Sequence, residues 1–166
     1  MVYAWAMPGS NLTREEAQTR ARLLDVESYT VDLDLTTGET DFDSTTTIRF
    51  TCREPGASTF ADLVDASIRE ITLNGRTLDP GEVYADCRIR LDDLEERNEL
   101  RVVATCPYSR TGEGLHRFVD PVDDRVYLYT QFEVPDARRV YTTFEQPDLK
   151  SVFTFTVAAP EGWTVV

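Results

Sequence analysis

The chain has 166 residues, the size of one domain, and 41% of them are apolar while 28% are charged. This balance is typical of a globular protein with a hydrophobic core and excludes an intrinsically disordered chain. The formal charge of −13 and the pI near 4.4 exclude a nucleic-acid partner, because phosphate binding requires clustered Lys and Arg.

The three cysteines point to a reducing compartment. Cys52, Cys87 and Cys106 cannot all pair with one another, and their spacing contains no C-x-x-C motif. No apolar run reaches the length of a membrane span, and residues 1–6 lack the basic start of a signal peptide. We therefore predict a cytoplasmic protein without a membrane partner, whose natural start is Met7.

The first predicted element is a short helix. Thr13 and Glu16 have the spacing of a capping box, in which a hydroxyl and a carboxylate each accept a backbone N–H of the first turn. The helix should run from about Arg14 to Leu24. It follows an N-terminal extension over residues 1–12. Together with its cap, the predicted helix occupies residues 13–24.

The remainder, residues 25–166, has the pattern of short strands. Apolar and polar residues alternate from Tyr29 to Leu35, and a turn with Gly38 leads into a second strand over 42–52. The Asn74-Gly75 pair within 68–78 is a strong hairpin signal. Further strands are predicted at 58–63, 88–91, 99–106, 125–132 and 151–158, with a helical turn at 136–141 and another strand beginning at 163–166.

These elements favour an all-β fold, a β-sandwich preceded by one short helix. The alternating pattern is still running at Val165 and Val166, where the sequence stops. We therefore expect the chain to be a truncated piece of a longer multidomain protein.

The chain lacks the residues of common hydrolytic sites. A catalytic zinc usually takes two His at helical spacing and a carboxylate, but His116 is the only histidine, so an H-E-x-x-H motif is impossible. His116 lies in the glycine-rich segment 112–118, which predicts a loop and a surface or packing role. A G-x-S-x-G nucleophile motif is also absent. The fragment alone is predicted to be inactive, with no catalytic residue and no bound metal.

Two segments nevertheless carry a resemblance. The segments 129–139 (YTQFEVPDARR) and 144–150 (FEQPDLK) resemble a signature of the M1 (gluzincin) aminopeptidases, and 112–118 resembles a loop that precedes it there. The likeness extends more loosely over residues 8–166 and is closest to actinobacterial members of the aminopeptidase N type. The segment 141–143 (YTT) departs from the more frequent Phe-Pro-Cys.

The resemblance implies the N-terminal, saddle-like β domain of a zinc-dependent aminopeptidase. The zinc ion would then belong to the full-length enzyme, whose own C-terminal catalytic domain would be a partner of this chain. The Gln-x-Glu segment of that family binds the peptide N-terminus, and Gln131 and Glu133 stand at the matching positions. Glu133 would pair with the substrate ammonium and Gln131 would line the first subsite. Arg138, Arg139 and Glu145 would support that loop through structural ion pairs.

Spacing alone permits other interpretations. Residues i and i+2 of a strand face the same way, so the side chains of Gln131 and Glu133 on one strand could converge on one substrate. Judged by spacing alone, the two residues are more simply a solvated strand face beside Tyr127 and Tyr129. The long match of segments 129–139 and 144–150 to the family signature favours the substrate-binding interpretation instead. Two alternatives stay open: the leukotriene A4 hydrolase branch of the family, which carries Gln at the position of Glu133, and a non-catalytic β-sandwich binding or interaction module.

Overall fold

The computed structural model describes residues 11–166. Met7 and most of the predicted N-terminal extension lie outside the described residues. Helix α1 spans Arg14–Leu23, and its predicted capping box is present. The Thr13 hydroxyl accepts the Glu16 N–H at 3.2 Å, and the Glu16 carboxylate accepts the Thr13 N–H at 2.8 Å. Leu24, predicted as the end of the helix, instead opens the first strand.

The structure assigns eleven strands within residues 11–166, one further helical turn and one 3₁₀ helix. The strands are β1 (Leu24–Asp34), β2 (Asp41–Cys52), β3 (Thr59–Asp62), β4 (Ser67–Leu73), β5 (Arg76–Leu78), β6 (Tyr84–Ala85), β7 (Arg88–Leu91), β8 (Arg97–Pro107), β9 (Gly114–Val119), β10 (Val126–Gln131) and β11 (Val152–Ala158). Helix α2 spans Pro80–Val83, and the 3₁₀ helix spans Ala137–Arg139.

The strands form three sheets. The largest has the order β11-β1-β2-β8-β4-β5, and it is antiparallel except for the edge strand β11, which runs parallel to β1. Strands β3, β7 and β6 form a three-stranded sheet, and β10 and β9 form an antiparallel pair. The predicted all-β fold with one short N-terminal helix is confirmed.

One continuous core joins the six-stranded and three-stranded sheets. In β2 the even-numbered positions from Phe42 to Cys52 are buried, so the alternation predicted from the sequence holds. Burying one large apolar side chain contributes about 1.5–3 kcal/mol. The most completely buried members of this core include Val31, Phe42, Ile48, Leu63, Ile71, Ile89, Leu91 and Leu100.

The predicted Asn74-Gly75 hairpin is also confirmed. It joins β4 to β5, and the two turn residues have φ angles of 53° and 77°. A two-residue hairpin turn of this kind needs positive φ at both central positions, which Asn and Gly adopt at little cost.

Two further sequence predictions are wrong. Residues 163–166 form no strand, because a strand requires a backbone partner and none of the described residues pairs with them. His116 lies in β9 and not in a loop, because the segment that follows Gly114 pairs with β10. Neither helix found in residues 11–166 is long and apolar enough to cross a membrane.

Candidate functional site

The two residues singled out by the sequence lie where β10 ends. Gln131 is the last residue of β10 and stands opposite Gly114, the first residue of β9. Glu133 follows in a turn, next to the cis Val134–Pro135 peptide bond. The prediction that both residues lie on one strand is therefore wrong. The ladder between the two strands ends at the pair of Gln131 and Gly114.

A side-chain hydrogen bond brings the two residues together instead. The Gln131 Oε1 atom accepts the backbone N–H of Glu133 at 2.6 Å, and both side chains are exposed. The bond fixes the start of the turn relative to β10. The Glu133 carboxylate can accept charge-assisted hydrogen bonds, and the amide NH₂ group of Gln131 can donate to a carbonyl oxygen. The arrangement therefore suits a ligand that carries an ammonium group beside a carbonyl group.

The 3₁₀ helix is hydrogen-bonded to the turn that carries Glu133. The Arg138 Nε atom donates to the carbonyl oxygen of Pro135 at 3.0 Å, and the Arg138 backbone N–H donates to the Glu145 carboxylate at 2.9 Å. Arg139 forms ion pairs with Asp136 at 3.1 Å and with Asp65 at 3.4 Å. The expected ion pairs are present for Arg139, and the Glu145 carboxylate accepts the backbone N–H of Arg138.

The Glu145 carboxyl group is in an unfavourable place for a charge. Burial raises its pKa, and the nearby carboxylates of Asp62 and Asp136 raise it further. The hydrogen bond from the Arg138 N–H and the Arg138 charge oppose that shift without cancelling it. Glu145 therefore holds its proton more tightly than an exposed glutamate does.

Gly114 allows β9 to approach the 3₁₀ helix closely. Its φ angle is +64°, and a Cβ atom at this position would lie 2.8 Å from the Cβ atom of Arg139. Any side chain would push the two segments apart, so the glycine is required by both conformation and space. The glycine-rich segment noted in the sequence is thus part of the support of the site.

His116 has a packing role in this pair of strands. Its Nδ1 atom accepts the backbone N–H of Gly112 at 3.1 Å, and its ring lies 4.9 Å from the ring of Tyr129. Both contacts stay within the β9–β10 pair and the loop before it.

An aromatic cluster lies beside the candidate site. It consists of Phe132, Tyr141, Phe153 and Phe155, whose neighbouring rings lie 5.6 to 6.2 Å apart. The side chains of Phe153 and Phe155 on the edge strand β11 are 43% and 45% exposed. The cluster therefore continues from the turn of Glu133 onto an open apolar surface.

The sequence did not point to three buried polar residues that stand behind this site, namely Arg20, Asp62 and Gln146. Arg20 and Asp62 are 42 residues apart, so no local spacing could have related them. The only sequence signal was the position of Gln146 inside the FEQPDLK segment.

The described residues do not fit a metal ion. Across residues 11–166 no group of three His, Cys, Asp or Glu side chains could hold one. A zinc ion therefore has no ligand set in this part of the chain.

The fold is that of the N-terminal domain of M1 metallopeptidases. A zinc metallopeptidase of Deinococcus radiodurans superposes with a TM-score of 0.65, at 20% identity, over 82% of this chain and 32% of its own. Yeast LTA4 hydrolase, solved with bestatin, superposes with a TM-score of 0.68, at 14% identity, over 90% of this chain and 27% of its own. At these identities the likeness establishes the fold.

Sequence similarity establishes the family. Residues 25–166 match the peptidase M1 N-terminal domain, and the chain belongs to that family. It is 63% identical over 163 residues to an aminopeptidase N of Streptomyces lividans, a match that covers 96% of this chain. The chain spans 19% of the length of that relative, so it corresponds to the N-terminal domain of a much longer protein.

Proposed function

We propose that this domain forms part of the substrate-binding wall of a zinc-dependent aminopeptidase, which hydrolyses N-terminal residues from peptides. Glu133 pairs with the α-ammonium group of the substrate, and Gln131 lines the subsite of the residue to be removed. The observation that carries the proposal is the 2.6 Å bond from the Glu133 N–H to Gln131 Oε1, which joins the exposed Gln131 side chain to the backbone of the residue that bears an exposed carboxylate.

The turn that carries Glu133 is preorganised. Gln131 fixes its first residue, and Arg138 holds the carbonyl group of Pro135 on its other side. A hydrogen bond to a charged group contributes about 1.5–3 kcal/mol, provided that the partners need not be ordered first. A carboxylate on a turn whose backbone is held in this way can therefore select substrates with a free amino terminus.

The zinc ion of such an enzyme would be held by residues outside this domain, since residues 11–166 offer no ligand set. When bound, zinc polarises a carbonyl group and lowers the pKa of a bound water molecule. The name of the Streptomyces relative, aminopeptidase N, supports this assignment of the whole protein. The predicted cytoplasmic location is untested and stays a prediction.

The aromatic cluster is the surface on which this domain packs against the catalytic part of the same polypeptide. Phe153 and Phe155 expose apolar area on an edge strand, and the cluster adjoins the turn of Glu133. Packing there would place Glu133 at the border of the two parts. A Phe155→Asp variant of the full-length protein should release this domain as a separate fragment in limited proteolysis. Unchanged resistance would place the interface elsewhere.

The test of the substrate role uses the full-length protein and an aminoacyl-4-nitroanilide substrate. Replacing Glu133 by Ala should raise KM by about 10- to 100-fold, which is the loss of one charge-assisted hydrogen bond. Glu133→Gln should lie in between, because an amide oxygen can still accept a bond. Glu39→Ala is the matched control, since Glu39 is an exposed glutamate in the turn between β1 and β2.

Unchanged kcat/KM in the Glu133→Ala variant would remove Glu133 from substrate binding. The interaction-module alternative would then be favoured if the full-length protein also lacked peptidase activity. A Gln residue at this position was the mark of the leukotriene A4 hydrolase branch, so the Glu found here favours a plain aminopeptidase.

A further inference from the structure

Helix α1 is fastened to the rest of the domain by a buried arginine. Arg20 is 1% exposed, and its Nη1 atom lies 2.9 Å from the Oδ2 atom of Asp62, which is 2% exposed. The same Nη1 atom donates to the carbonyl oxygen of Phe60 at 3.2 Å, and the guanidinium group lies 4.8 Å from the centre of the Phe60 ring. Arg20 thus has its charge paired inside the core.

Arg20 also reaches residues 143–146, the supporting segment of the candidate site. Its Nε atom donates to the Gln146 side-chain oxygen at 3.0 Å, and the Gln146 amide donates in return to the carbonyl oxygen of Ala17 in α1 at 2.9 Å. The helix and the segment around Gln146 are therefore joined by hydrogen bonds in both directions.

Asp62 continues this connection. Its backbone N–H and carbonyl oxygen pair with those of Thr143 at 2.7 and 3.0 Å. Its Oδ2 atom, which holds Arg20, also accepts the backbone N–H of Glu145 at 3.1 Å. One carboxylate oxygen thus binds the helix and the supporting segment together.

The last links lead to the turn of the proposed substrate site. The Glu145 carboxylate accepts the N–H of Arg138, and the Arg138 guanidinium donates to the carbonyl oxygen of Pro135. Pro135 stands two residues after Glu133. An unbroken series of hydrogen bonds therefore runs from Arg20 to the turn that carries Glu133.

We propose that Arg20 and Asp62 are positioning residues for Glu133, so that helix α1 takes part in substrate capture although it precedes the family match that begins at residue 25. This inference rests on the proposed role of Glu133. A buried ion pair stabilises a fold no better than well-packed apolar side chains do, but its hydrogen bonds permit only one geometry. Here that geometry includes the backbone of the supporting segment at Thr143 and Glu145.

The chain offers a matched control in Arg88. It is 6% exposed, pairs with Glu16 of the same helix at 2.6 Å, and lies 4.0 Å from the centre of the same Phe60 ring. Its other hydrogen bond goes to the carbonyl oxygen of Asn11. Arg88 therefore fastens α1 as Arg20 does, but its side-chain hydrogen bonds lead to Glu16 and Asn11 and not to the segment at Gln146.

The experiment compares Arg20→Lys, Gln146→Leu and Arg88→Lys in the full-length protein, with KM for an aminoacyl-4-nitroanilide as the readout. KM does not depend on the fraction of enzyme that is folded, so a general loss of stability leaves it unchanged. Arg20→Lys should raise KM by about 3- to 10-fold, in the range of coupling carried through packed networks. Arg88→Lys should lower Tm as well but keep KM within about twofold.

Gln146→Leu keeps the Arg20–Asp62 pair and removes the two bonds that join the Gln146 side chain to helix α1, so it tests this part of the connection if Arg20→Lys fails to fold. It should also raise KM. Equal KM values for the Arg20, Gln146 and Arg88 variants and the unaltered protein would overturn the positioning role.

A double variant separates this inference from the function on which it rests. If Arg20 acts through Glu133, Arg20→Lys should have no further effect on KM once Glu133 is Ala. A KM raised by Glu133→Ala but not by Arg20→Lys would overturn the positioning role alone. A KM unchanged by Glu133→Ala would overturn both.

Discussion

The side-chain hydroxyl of Tyr29 accepts the backbone N–H of Phe144 at 3.0 Å, across 115 residues of sequence. Tyr29 belongs to strand β1, which lies between β11 and β2, and it is 2% exposed; burial raises the pKa of its phenol. The hydroxyl group therefore stays protonated, and it also accepts a hydrogen bond from the Thr143 hydroxyl at 3.5 Å. Residues 143 and 144 behind the candidate site are in this way hydrogen-bonded to the six-stranded sheet.

Replacing Tyr29 by Phe should destabilise the chain. The change leaves the N–H of Phe144 buried without its acceptor, which costs about 1–3 kcal/mol of the free energy of unfolding. Urea unfolding should show a lower midpoint at an unchanged m-value. Tyr127→Phe is the control, because Tyr127 is 48% exposed and its hydroxyl meets Asp123 at 3.4 Å in solvent. Equal losses in both variants would contradict the role given to Tyr29.

Replacing Gly114 by Ala should separate β9 from the 3₁₀ helix. Both this change and Gly75→Ala place a side chain at positive φ, which costs about 1–2 kcal/mol. Only Gly114 meets a second penalty, because its Cβ would lie 2.8 Å from Arg139, whereas Gly75 has nothing within 4 Å. Overpacking should add about 1–3 kcal/mol. Thermal unfolding of the two variants should therefore differ, and equal Tm values would refute the close contact.

The three thiols should react in a set order. Burial raises the pKa of the Cys106 thiol to about 12, and the Asp43 and Asp41 carboxylates add to the shift. Cys52 is buried as well, while Cys87 is partly exposed. Iodoacetamide at pH 8 should modify Cys87 first, and Cys52 and Cys106 only after unfolding. Peptide mass spectrometry of native and denatured protein tests this order, which early labelling of Cys106 would contradict.

Glu145 should make the fold less stable as the pH rises. Its pKa is raised in the folded state, so between the unfolded and the folded pKa the native state binds more protons than the unfolded state. The free energy of unfolding therefore falls as the pH increases through that window. Glu145→Gln keeps an acceptor for the Arg138 N–H and removes this dependence. Urea unfolding at pH 4 and at pH 7 measures the free energy of unfolding of both chains. The free energy of the Glu145→Gln variant relative to the original chain should be higher at pH 7 than at pH 4.

Local patterns predicted most of the long strands of this fold correctly. The alternation in β2 predicted its buried face because successive strand residues point to opposite sides, and Asn74-Gly75 predicted a hairpin because both residues tolerate positive φ. Strand β9 was missed because it begins at Gly114 and depends on pairing with β10, a contact that no local pattern encodes.

The candidate site was found by resemblance, and its geometry could not be read from spacing. Gln131 and Glu133 are two residues apart, which suggested one strand face, but the ladder with β9 ends at Gln131 and Glu133 enters a turn. The contact between Arg20 and Asp62 depends on the packing of α1 against the sheets. Such contacts follow from the tertiary fold and leave no periodic signal.

The bonds made by Arg20 also fix where this domain can begin. A polypeptide that starts at residue 25, where the match to the peptidase M1 N-terminal domain begins, would lack Ala17 and Arg20, so Asp62 and Gln146 would lose the bonds that helix α1 makes to them. Removing one partner of a buried ion pair is strongly destabilising. We therefore expect a shortened chain to fold stably only if it begins at or before Thr13, which keeps the capping box of α1.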